Sequence, residues 1–176
     1  VGATVTTAAV TVFSYTTATA GGNVTATGGG NVTAKGVCYG TAANPSISGA
    51  HTTDGSGVGQ FTSSLTGLAS GTKYYVRAYA TNDSGTEYGP QVEFTTLAVG
   101  EPDLTTGAVS AVTEASATVG GNVTADNGGA ITERGLCWST DENPTVDDES
   151  MAAALGNGTG EFTATITSLD MGTPYY

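Results

Sequence analysis

The 176-residue sequence predicts an all-β chain of two tandem sandwich domains, the second incomplete. Three observations lead there: residue usage, a domain-length internal repeat, and turn signals at strand spacing. Only 11% of residues are charged and 27 are Gly. Helix-forming Glu, Lys and Leu are scarce, while Thr, Val and Gly suit strands and tight turns.

The repeat is direct. "GGNVTA" at Gly21–Ala26 returns at Gly120–Ala125, and "KGVCYGTAANP" at Lys35–Pro45 answers "RGLCWSTDENP" at Arg134–Pro144, both 99 positions apart. Further on, "GQFTSSLTGLASGTKYY" ending at Tyr75 matches "GEFTATITSLDMGTPYY" ending at Tyr176, now 101 positions apart. Two residues are therefore inserted between Pro144 and Gly160, in a stretch that reads as a connecting loop. A unit of about 100 residues can bury its own core, unlike the shorter units of a solenoid. The expected organisation is a sandwich at 1–98, a linker at 99–103 and a second sandwich at 104–176. The second repeat has no counterpart of residues 76–96, so it is expected to break off before the end of its sixth strand and to lack the seventh. "VG" at Val1 recurs at Val99, which points to a further repeat ahead of the first.

In the first repeat, turn signals place strands at 4–12, 17–25, 32–40, 61–65, 74–82 and 92–96, with a short one near 51–53. That number and spacing suit a small sandwich. The glycines of "TGGGN" (27–31) and "DGSGVG" (54–59) supply positive-φ turn positions and match neither phosphate-binding spacing. In "YYVRAYATN", Tyr74, Val76, Ala78 and Ala80 fall on one face, read as the core face, and Tyr75, Arg77, Tyr79 and Thr81 on the other.

Charge excludes some functions. With 4 Lys and Arg against 16 Asp and Glu, the chain repels nucleic acid and anionic membrane surfaces. No apolar run is long enough to span a bilayer, so no membrane insertion is expected, and any export signal lies outside this stretch.

"L-x-x-G-T-x-Y-x-V-x-A-x-A-x-N-x-x-G", Leu68 to Gly85, resembles the corresponding region of fibronectin type III domains, which belong to the immunoglobulin-like sandwiches. The resemblance implies a tyrosine corner formed by Tyr74 with Leu68, and by Tyr175 with Leu169 in the second repeat. The wider pattern, including "GGNVT", "GVCY" and "DGSG", is similar to repeats of large secreted surface proteins of Bacteroidetes-type bacteria. It covers nearly all of the first repeat and the second as far as it goes. Two features depart from the general family: the usual strand-B Trp is absent, and Ser70 and Met171 stand where the turn usually has Pro.

Cys38 and Cys137, the only cysteines, occupy equivalent positions and are read as small inward-facing hydrophobes rather than a disulfide or ligand pair. The single His51 has no counterpart, and no nucleophile, base and acid set recurs in both repeats, so no catalytic residue, cofactor or metal is assigned. The loop carboxylates Asp147, Asp148 and Glu149 read as a solvated loop face, with two Ca²⁺ alternatives left open: a site on those carboxylates, and one between repeats in which the linker residues Glu101 and Asp103 join loop carboxylates. The candidate binding face is an outward strip of Tyr39, Tyr75 and Tyr79 beside Lys35 and Arg77, continued by Trp138, Arg134 and Tyr176. Such a strip could stack on sugars or a partner, or simply cover the sheet.

The expected function is a non-catalytic structural or adhesive segment of a long secreted bacterial surface protein, serving as spacer, filament shaft or stalk. Its partners would be neighbouring repeats, other copies in a filament, surface glycans or other surface proteins. The alternative is an accessory or carbohydrate-binding module of an exported glycan- or protein-degrading enzyme.

Overall fold

The computed structural model describes residues 1–147 and 155–176. Among these residues all regular structure is β, in eleven strands. The chain divides into two compact units, Val1–Val99 and Gly100–Tyr176.

The first unit contains β1 (Thr4–Thr7), β2 (Val12–Phe13), β3 (Ala18–Ala26), β4 (Ala34–Gly40), β5 (Gly59–Leu65), β6 (Lys73–Asn82), β7 (Gly85–Tyr88) and β8 (Val92–Thr95). In one sheet β3 is central, with β5 along one edge and β1 and β2 along different stretches of the other. The second sheet is built around β6, with β4 on one side and β7 and β8 on the other. All these pairings are antiparallel. This is the A-B-E and C-F-G arrangement of a fibronectin type III-like sandwich.

Three elements differ from expectation. The strand expected at 4–12 is two, because β1 and β2 pair with separate parts of β3. A hairpin strand, β7, follows β6 through Asp83 and Ser84, with Asn82 opposite Gly85. The short strand expected near 51–53 is a single bridge between His51 and Cys38. Around that bridge Tyr39 N–H donates to Ala50 O (3.0 Å) and Thr52 N–H to Val37 O (2.9 Å), so this segment runs along the outer edge of β4.

The core lies between the sheets. Ala18, Ala20, Val37, Leu65, Leu68, Tyr74, Val76 and Phe94 form one cluster, and Ala3, Val5, Val24, Val32, Ala78 and Ala80 form the other. β6 thus presents Tyr74, Val76, Ala78 and Ala80 to the core, the face that alternation predicted. Of the turn glycines, Gly28, Gly29, Gly55, Gly57 and Gly59 take positive φ, and Gly30 does not.

The second unit contains β9 (Asp103–Thr106), β10 (Ser116–Ala125) and β11 (Gly160–Thr167) in one antiparallel sheet with β10 central. Its register repeats that of the first unit, since Gly120 faces Thr163 as Gly21 faces Thr62. The equivalence extends beyond the sheet. Arg134 N–H donates to Gly156 O (3.0 Å) as Lys35 N–H donates to Gly55 O (2.9 Å). Ser139 and Tyr176 exchange backbone bonds of 3.2 and 2.8 Å where Gly40 faces Tyr75 in the first unit. The shift from 99 to 101 therefore falls in the loop where the insertion was expected.

Candidate functional site

The expected aromatic strip can be built strand by strand from the register of β4 and β6. Paired residues share a face: Tyr39 lies opposite Val76, Cys38 opposite Arg77, Gly36 opposite Tyr79 and Gly40 opposite Tyr75. Val76 is a core residue, so Tyr39 points to the core side and packs against the first cluster. Its placement beside Tyr75 and Tyr79 is corrected accordingly. The local sequence "GVCYG" is apolar at 37, 38 and 39, so alternation within β4 cannot choose its faces; only pairing with β6 does.

The same register corrects the cysteine. Cys38 shares the outer face with Arg77 rather than the core face with Val37. It is nonetheless fully buried, bridged to His51 on the side away from β6. Burial pushes its thiol up to about 11, against a weaker opposite pull from Arg77. Cys137 is half-buried, and both thiols are free.

Tyr79 occupies the expected face but is only 3% exposed. Its ring lies over Gly36, where a Cβ would come within 2.9 Å of the ring, and its hydroxyl donates to Thr52 O (2.7 Å). His51 meets the ring edge-on at 6.0 Å. Tyr79 therefore ties the segment along β4 to β6. Beside it the Thr52 and Ser63 hydroxyls donate to Asp54 Oδ2 (2.6 and 2.5 Å), and Val37 N–H donates to Thr52 Oγ1 (3.0 Å).

The cations are also used internally. Lys35, 6% exposed, sends Nζ to Val58 O (3.3 Å) and Gly59 O (3.4 Å), 5.8 Å from the Phe61 ring centroid. Arg134 repeats this in the second unit: its Nη1 donates to Gly158, Thr159 and Gly160 carbonyls at 3.3, 2.9 and 3.0 Å, with the guanidinium over Phe162. In both units a cation caps the carbonyls of the glycine-rich turn before β5 or β11. The recurrence of a cation at this point of both repeats was the available sequence signal.

Of the expected strip, Tyr75 and Arg77 remain open on the outer face, and Tyr88 joins them. Arg77 lies over the Tyr88 ring at 4.7 Å and donates through Nε to Gly89 O (3.2 Å). Tyr75 is half-buried, with Lys73 Nζ 5.3 Å from its ring centroid and Lys73 paired to Glu93 at 2.8 Å. That bond raises the Lys73 ammonium above its ordinary value. Across from Tyr75, the space above Gly40 is open. Tyr88 was not part of the expected strip; the unexpected β7 brings it there.

The corner tyrosines occur in both units. The Tyr74 hydroxyl accepts from Ala69 N–H (2.9 Å), its ring stacks on Phe94 at 5.8 Å, and Leu68 is buried in the same cluster. The Tyr175 hydroxyl accepts from Asp170 N–H at 3.2 Å, beside a half-buried Leu169.

Trp138 is the counterpart of Tyr39 and lines an apolar cleft in the second unit instead of extending an outer strip. The cleft measures about 510 Å³ and is walled by Ala117, Leu136, Ile166, Leu169 and Tyr175; Tyr176 also lines it. Of the proposed Ca²⁺ ligands, Asp148 and Glu149 lie outside the described residues. Glu101 and Asp103 are held by Asn127, whose amide donates to Glu101 O (2.6 Å) and Asp103 Oδ2 (3.3 Å). Among the described residues no three His, Cys, Asp or Glu converge as a metal-binding group, and no helix is long and apolar enough to cross a membrane.

No family model matches the chain, and no curated protein matches it. Among solved structures it is similar to the sensor domain of the anti-sigma factor RsgI4 of Pseudobacteroides cellulosolvens, at 18% identity and a TM-score of 0.41, over 56% of this chain and 77% of that one. It is also similar to a segment of two fibronectin type III domains from chicken tenascin, at 16% identity and a TM-score of 0.35, over 95% of this chain and 84% of that one.

Proposed function

We propose that the chain is a non-catalytic structural segment of a long secreted bacterial surface protein, in which fibronectin type III-like units give length to a stalk, shaft or spacer. The supporting observation is where the chemistry-bearing side chains go. Tyr39, Tyr79, Lys35 and Arg134 are all committed to holding their own unit together. A unit that spends its aromatics and cations on its own frame can be repeated without each copy needing a ligand. Its partners are then neighbouring repeats or other copies, at the cell surface.

One observation favours a second reading, a carbohydrate-binding module. Tyr75 stands beside the open surface above Gly40, and the Arg77–Tyr88 pair shares its face. A flat sugar could stack there. The two readings separate on a glycan array probed with the 176-residue chain. The structural reading expects no saturable glycan. A hit lost in a Tyr75→Ser, Tyr88→Ser double variant that keeps its fold would replace it with the second reading.

A further inference from the structure

We propose that the stretch from Gly100 to Asp103 is not a free linker but a strap latched to the second unit, and that the side-chain amide of Asn127 is the latch. The sequence pattern predicts a linker at 99–103, yet the division into compact units falls after Val99. The backbone bonds follow that division. Leu97 N–H donates to Ser14 O (3.0 Å) and Leu97 O accepts from Gly71 N–H (2.9 Å), which ends the first unit. Gly100 N–H donates to Asn127 O (3.0 Å), which begins the second. Only Ala98 and Val99 lie between these anchor points.

Beyond Gly100 the Asn127 side chain takes over. Its amide nitrogen carries two donors, which reach Glu101 O (2.6 Å) and Asp103 Oδ2 (3.3 Å) and so fix both the position and the direction of the strap. Pro102, between the two acceptors, has a fixed φ and leaves few rotations to freeze. Asn127 stands at φ 46° in the turn after β10, a left-handed position that Asn tolerates better than most residues. The first unit meets the same need with other residues. Gly28 stands at the place of Asn127, with φ 71°, and a Cβ there would run into the carbonyls of Val1 and Gly2. The amide comes instead from buried Asn82 of β6, which donates to Val1 O (3.2 Å) and to Thr27 O (2.7 Å) of the turn after β3. In both units an asparagine amide therefore bonds the stretch ahead of the first strand. The latch lies inside its unit, so it stands whether the array serves as spacer or binder.

The test is backbone ¹⁵N relaxation on the 176-residue chain and two variants. Asn127→Asp keeps the side-chain shape and removes both donors; Asn127→Gly removes the side chain and keeps the turn, as Gly28 does in the first unit. In the unaltered chain the order parameters of Gly100 and Glu101 should match those of β10, about 0.85. In either variant that of Glu101 should fall below about 0.6 while those of β10 and β11 stay unchanged. A mobile Glu101 in the unaltered chain, or a Glu101 that stays rigid in either variant, would overturn the proposal. Unchanged values in β10 and β11 separate an opened latch from an unfolded unit, and if one variant loses them the other decides.

Discussion

At Ser168 the second unit holds a serine at φ 63°, where the first has Gly67 at φ 67°. A side chain in the left-handed region costs about 1 kcal/mol or more, and Gly removes that cost at a turn already fixed by its flanking strand. Ser168→Gly should therefore raise the stability of the second unit by about 0.5–1 kcal/mol, and Gly67→Ser should lower that of the first by a similar amount. Denaturant titration read by Trp138 emission for the second unit, and by far-UV circular dichroism on residues 1–99 for the first, checks both directions. Cys38 gives a residue-scale expectation with a sign in pH. Its thiol is raised by burial to about 11, while in the unfolded chain it ionises near the ordinary value of 9.0. The folded state then holds its proton over a window in which the unfolded state has lost it. The stabilisation is whole below about pH 9 and declines as pH rises toward 11. Stability of residues 1–99 should fall between pH 8 and 10.5, and fall less in Cys38→Ala. An equal fall in both would assign the alkaline loss to other groups.

At the scale of elements, the cation-capped turn is the feature common to both units. Lys35 and Arg134 donate to the carbonyls of this turn, and their charged heads lie over a phenylalanine ring. Lys35→Met keeps the stem and removes the donor, so it should cost about 1–2 kcal/mol and speed amide exchange at Gly57. Lys35→Arg should be tolerated, since Arg134 does the same work with one more carbonyl. Hydrogen exchange and thermal melts of residues 1–99 distinguish these outcomes. Sequence legibility also differs by element. The faces of β6 could be read because Tyr74, Val76, Ala78 and Ala80 alternate cleanly with larger or polar residues. Those of β4 could not, since Val37, Cys38 and Tyr39 are all apolar and a partner strand decides between them. Lys35 was misplaced because a charge is outside by default; its carbonyl partners lie 23 and 24 residues away and meet it only in the fold. Tyr79 was placed on the correct face, but the segment that covers it arrives through a loop without strand pattern. The part-buried Thr52, Asp54 and Ser63 network shows the same non-local logic: the second repeat has Leu155 and Ala164 in place of Asp54 and Ser63, apolar side chains where the first has hydrogen-bonding ones.

At the scale of the whole molecule, two units of one repeat offer an internal comparison of how the enclosure of a side chain sets the cost of removing it. Residues 1–99 contain both sheets and both core clusters, so they should fold alone in one cooperative transition. Leu65 and Ile166 occupy the same position in β5 and β11. Leu65 is 1% exposed and packed from both sheets, whereas Ile166 is 7% exposed and borders the open cleft. Truncation leaves a cavity only where atoms surround the lost side chain, and its cost grows with that cavity. Leu65→Ala should therefore cost about 3–5 kcal/mol in the first unit, and Ile166→Ala about 2 kcal/mol or less in the second. The 176-residue chain allows both readings in one sample. Trp138 emission reports the second unit, and tyrosine hydrogen-bond signatures at Tyr74 and Tyr79 report the first. If the two truncations cost the same, the Ile166 side chain is enclosed in solution and the cleft is closed.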